Sequence, residues 1–139
     1  MSVTCILRAG GRIFDPDAFL AGSALPEPVI QRRGDPPWPG EQDTAPRTRS
    51  GFSVTVSDAG MDDLDAQIEE AIAFLDQHED ELRRLGRYEG VEDMTIDFGI
   101  AWRDAATQTD WFPPELLWRA GALDIGLCVS HYLAQEQES

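Results

Sequence analysis

The chain has 139 residues, 42% of them hydrophobic and 27% charged, the composition of one ordinary globular domain that needs neither a metal nor a disulfide to hold its core. Twenty-six carboxylates against eleven cations leave a net charge of −15 and a sequence pI near 4.2, a field that repels phosphate backbones and anionic surfaces and argues against direct nucleic-acid or membrane binding. All eleven cations are arginine, and lysine and asparagine are absent, as in a GC-rich coding sequence.

Val3, Cys5 and Leu7 alternate with Thr4, Ile6 and Arg8, which predicts a strand apolar on both faces, central in its sheet and ending at Gly10 and Gly11. The apolar stretch is too short for a signal peptide or a membrane span, so a cytoplasmic location is expected. Asp15 followed by Pro16 signals the N-terminus of a short helix carrying Ala18, Phe19 and Leu20. Val29 and Ile30 form a brief strand. Residues 34–46, with four prolines and two glycines, form a loop.

Phe52, Val54 and Val56 alternate with Ser53, Thr55 and Ser57 as a strand with one buried and one wet face. Over residues 62–85 the period becomes helical: Leu64, Ile68, Ala71, Ile72, Leu75, Leu82 and Leu85 form one stripe. Asp62, Asp63 and Asp65 suit the start of this long helix and Arg83 and Arg84 its end, with Gly86 a left-handed cap. Met94, Ile96, Phe98, Ile100 and Trp102 mark the clearest strand. Pro113 and Pro114 open a second short helix holding Leu116, Leu117 and Trp118 and ended by Gly121, and Leu123, Ile125, Leu127 and Val129 define a last strand. The expected fold class is α+β: a single antiparallel or mixed sheet of four to five strands, with one long and two short helices packed on one face. One domain spans residues 1–134, followed by a polar tail at 135–139.

The order of Phe14-Asp15-Pro16, Arg33-Gly34-Asp35-Pro36, Ser50-Gly51-Phe52-Ser53, the long amphipathic helix, Pro114-Glu115-Leu116-Leu117 and Ala120-Gly121-Ala122-Leu123-Asp124-Ile125 resembles the small bacterial family known as domain of unknown function 4279. The resemblance covers nearly the whole chain. It implies a small α+β domain with no assigned chemistry, similar to proteins that accompany secreted bacterial toxins.

No constellation spells out catalysis. His78 falls on the core side of the long helix as a boundary packing residue, and His131 ends the last strand as an edge residue. Cys5 and Cys128 lie inside predicted strands without metal-ligand spacing and read as small buried hydrophobes. There is no serine elbow and no phosphate-cradling glycine turn, so no cofactor and no metal are expected. Arg33-Gly34-Asp35 is a chance tripeptide.

Two features point to binding. Asp62, Asp65, Glu69, Asp76 and Asp80 share one side of the long helix, opposite the leucines, either as a solvated face or as a docking surface for a basic partner. Trp38, among prolines, and Trp111, before Phe112-Pro113-Pro114, are apolar anchors or covers of a sheet edge. The leading expectation is a non-catalytic module, an immunity protein or inhibitor that binds a basic protein such as a toxin domain. The alternative is a small-molecule-binding or enzymatic domain that uses the open sheet face near Thr95, Asp97 and Ser130. Oligomeric state leaves no mark in the sequence.

Overall fold

The structure, a computed structural model, describes residues 4–35, 47–103 and 106–133. Its elements in chain order are β1 (Cys5–Gly11), α1 (Pro16–Leu20), β2 (Val29–Gln31), β3 (Ser50–Ser57), α2 (Leu64–Gln77), α3 (Glu79–Gly86), β4 (Asp93–Trp102), α4 (Pro114–Ala122) and β5 (Gly126–Leu133). The strands form one mixed sheet in the order β2-β3-β1-β4-β5, so the α+β class expected from the alternation is the class observed. All pairings are antiparallel except β4 with β5, which run parallel because α4 carries the chain back between them.

Alternation decides which side of each strand is covered. Cys5, Leu7 and Ala9 of β1, Phe52 and Val54 of β3 and Met94, Ile96, Phe98 and Ile100 of β4 are buried in one cluster with Phe19, Ile68, Ala71, Leu75, Leu82, Leu85 and Leu116 of the helices. The opposite positions, Arg8, Thr55, Thr95, Asp97, Cys128 and Ser130, carry no such layer. β1 is central, as its two-sided apolar pattern predicts, and it ends at Gly11, at the glycine pair expected to close it. At Gly11 a side chain would collide with the Gly90 carbonyl, and Gly90 itself takes φ +92, so the glycine pair lets this strand and loop touch.

The long helix predicted over 62–85 is two helices, broken at His78. The last turn of α2 closes with His78 N–H donating to Phe74 O, α3 restarts with Leu82 N–H on His78 O, and His78 itself sits at φ −107, ψ 19. Glu79, Asp80 and Glu81 then form the acidic first turn of a new helix, complementing its dipole. The leucine stripe survives the break because Leu75 and Leu82 are both buried. Asp63 caps α2, its carboxylate accepting from Ala66 N–H at 3.1 Å, and Asp15 caps α1 in the same way through Ala18. Gln67, unremarked in the sequence, is fully buried in the stripe and donates to Gly60 O and Gly99 O at 3.1 and 2.8 Å.

Three further expectations are corrected. Gly86 is the last residue of α3 in ordinary helical conformation; a Cβ there would lie 3.4 Å from Met94 Sδ, so the glycine serves close packing. Gly121 lies within α4, which ends in a Schellman closure: Ile125 N–H donates to Ala120 O and Asp124 N–H to Gly121 O, with Asp124 at φ +59. That turn delays β5, expected from Leu123, to Gly126. Finally, Cys128 is exposed, because it points to the uncovered side of an edge strand, whereas Cys5 is buried, with its thiol pKa pushed far up by burial and then by the Asp97 and Glu70 charges.

Candidate docking surface

The acidic residues singled out in the sequence all reach solvent. Asp65, Glu69 and Asp76 line the outer side of α2, Asp62 precedes its cap, and Asp80 belongs to α3 beyond the break at His78. The stripe is therefore spread over two helices and is not uniformly unpaired: Asp76 accepts from Arg119 Nη1 of α4 at 3.0 Å, and Glu115 holds the same guanidinium at 3.4 Å. Arg119 thus joins α2 to α4. On α3, Arg83 pairs with Glu79 one turn earlier, while Arg84 grips both oxygens of Glu81 at 2.8 and 3.0 Å and lies 4.0 Å above the Phe19 ring. The Arg84 hydrogen bond is the largest cause that lowers the Glu81 carboxyl from its usual 4.5 to about 2.

Trp111 is 70% exposed, because its neighbour Phe112 is the ring that turns inward, 5.2 Å from Phe98. Trp38 lies outside the described residues. The residue that sequence reasoning missed is Trp118, named there only as one of the residues the short helix holds and yet 71% exposed. Helical geometry forces this: with Leu116, Ala120 and Leu123 buried, the adjacent Leu117 and Trp118 must turn outward by 100° per residue. Three consecutive apolar residues on a short helix could have given the signal, since they cannot all face one core. Trp118 sits at the rim of a hollow of about 50 Å³ that it shares with Leu75, Glu79, Arg83, Arg119 and Ala122. The structure therefore brings a tryptophan to a hollow that Glu79 also lines, together with Arg119, the arginine that Asp76 holds, which the sequence had not connected.

His78 packs its ring 4.6 Å from Phe74, and His131 lies at the sheet edge, 5.8 Å from Trp102 and 3.9 Å from Asp110. Both occupy the packing and edge positions expected. Asp110 is fixed by Gln108, whose amide also donates to Ala101 O, so this cluster stitches a loop to the sheet. On the open face, Thr95, Asp97 and Ser130 do come together: Ser130 Oγ donates to Asp97 at 2.9 Å, and Asp97 accepts from Arg8 Nη1 at 3.0 Å. Among the described residues no group of three His, Cys, Asp or Glu side chains is placed to hold a metal ion, and no helix is long and apolar enough to cross a membrane. No protein-family model, no curated protein and no solved structure matches the chain, so any kinship rests on the order of its short motifs.

Proposed function

We propose that the chain is a non-catalytic protein-binding module that receives a basic partner on the outer surface of α2, α3 and α4, in the manner of an immunity protein or inhibitor that neutralises a basic toxin. The observation that carries this reading is Trp118, a large ring left in solvent beside Glu79 on a surface where Asp65, Glu69 and Asp80 are also exposed. An isolated charged face needs no partner, and an isolated exposed ring is ordinary. Together they supply what a heterologous interface requires: long-range attraction that orients the encounter and an apolar anchor that excludes water once contact is made. Trp111 and Leu117, also exposed, extend the apolar part.

Affinity capture from the source organism tests the reading, with the wild-type chain compared against Trp118→Ala and Glu69→Arg/Asp80→Arg. The expected result is a basic protein retained by the wild type and depleted by both variants. Retention that is indifferent to all three substitutions moves the interface elsewhere.

A further inference from the structure

Three of the eleven arginines line one depression on the uncovered sheet face: Arg8 from β1, with Arg47 and Arg49 from the segment that leads into β3. Gln31, Ser50 and Thr95 complete its polar wall, the volume is about 220 Å³, and Asp93 is the one carboxylate among the described lining residues. Arg8 and Arg49 are each paired with one carboxylate, Asp97 and Asp93, so in a chain of net charge −15 the acidic excess is locally offset here. Gly10 and Gly51 face each other across β1 and β3 in the lining, and neither projects a side chain into it. A Cβ at Gly10 would lie 3.1 Å from Ser50 O and 3.6 Å from Arg49 Nη2, in the space the guanidinium overlooks.

The donors are held in place but not used up. Ser130 fixes Asp97, only 14% exposed, and Asp97 fixes Arg8 through one N–H, leaving the other donors of that guanidinium to the depression. Arg49 gives Nη2 to Asp93 at 2.8 Å, while its buried Nε finds no acceptor. The Gln31 amide and the Thr95 hydroxyl make no side-chain hydrogen bond among the described residues. Donors thus exceed acceptors around a concave space smaller than the several hundred Å³ of a drug-sized pocket.

We infer that this depression binds a small oxyanion, the carboxylate or phosphate head of a metabolite-sized molecule, between the guanidinium groups of Arg8 and Arg49 with the Thr95 hydroxyl as an orienting donor. Planar guanidinium forks match both head groups in bidentate geometry. A nucleic-acid backbone would meet the repulsion of the whole chain, whereas a small ligand meets chiefly the local field.

The test is an NMR titration of the full chain, following backbone amides, with inorganic phosphate, with succinate and with sodium chloride at matched ionic strength. Phosphate or succinate is expected to move the Ser50, Gly51 and Thr95 signals saturably while chloride does not. Response to phosphate alone assigns the phosphate class, and response to succinate alone the carboxylate class. Arg8→Gln and Arg49→Gln should each weaken binding at least tenfold. Thr95→Val, which removes no charge and disturbs the fold least, should weaken it severalfold and keeps the test intact if an arginine variant unfolds. Shifts no larger than those with chloride, or saturable shifts that survive all three substitutions, overturn the inference.

Discussion

The outer surface of α2, α3 and α4 and the uncovered face of the sheet come from one strongly acidic chain, yet they differ in local charge and in shape. The helical surface carries Asp65, Glu69 and Asp80, with the exposed Trp118 at a hollow of only about 50 Å³. The sheet face is hollowed where Gly10 meets Gly51 and ringed by Arg8, Arg47 and Arg49, with Arg12 and Arg33 around the neighbouring hollow. Net charge governs approach from a distance; within roughly 8–10 Å, the screening length at ordinary salt, each face acts with its own charges. The exclusion of anions drawn from composition therefore holds for extended polyanions and not for every small one.

The comparison breaks most completely if the helical layer loses its seat on the sheet. Leu75 is buried beneath the rim on which Trp118 stands, and Leu75→Ala is expected to cost about 2–5 kcal/mol in chemical denaturation. A loss under about 1 kcal/mol would mean that α2 is seated by another face.

On the helical surface the expected effects are smaller and separable. With a basic partner in hand, Trp118→Ala should lower affinity at least tenfold, about 1.4 kcal/mol, mainly through faster dissociation. Glu69→Arg with Asp80→Arg should slow association and flatten its salt dependence. Asp76 is a poorer choice, since reversing it would set two arginines against each other at Arg119. Surface plasmon resonance at several salt concentrations distinguishes the two effects.

Periodicity made most of the fold legible. The alternation of β1, β3 and β4 and the leucine stripe each depend on neighbours within a few residues, and each is found. The break at His78 was legible in principle, because Glu79-Asp80-Glu81 is the acidic first turn of a helix, but an unbroken leucine stripe masked it. The arginine-lined depression could not be read at all. Arg8, Arg49 and Thr95 are far apart in the chain and meet only because β1 lies between β3 and β4, and local pattern marks β1 as central without saying which strands flank it.

A pH titration sharpens the contrast at the seam between α1 and α3. Glu81 has its carboxyl lowered to about 2 in the folded state, chiefly by Arg84, so its stabilisation is complete above the unfolded value of 4.5 and is lost as pH falls from there towards 2. Glu81→Gln should cost about 1–2 kcal/mol at pH 7, and the difference from wild type should vanish across that window. A difference that persists unchanged at about pH 2.5, near the lower edge of that window, would trace the loss to the seating of the Arg84 guanidinium over the Phe19 ring instead.

The smallest expected effect is a gain. Asp124 carries the left-handed turn that closes α4, at φ +59, a conformation in which a Cβ meets the following carbonyl and which glycine adopts without that penalty. The hydrogen bonds that make the closure come from the backbone N–H groups of Asp124 and Ile125, so they do not require the carboxylate. Relief of the steric penalty is partly offset by the greater freedom glycine gives the unfolded chain, so Asp124→Gly should stabilise by about 0.5–1 kcal/mol in a thermal melt. The direction matters more than the size. The hollow that Asp124 lines shares Arg83, Ala122 and Leu123 with the one at Trp118, so binding at the helical surface is measured beside the melt. A loss of stability would mean that the Asp124 carboxylate, exposed beside Arg83 and Arg87 around a shared hollow, contributes more by its charge than its backbone costs.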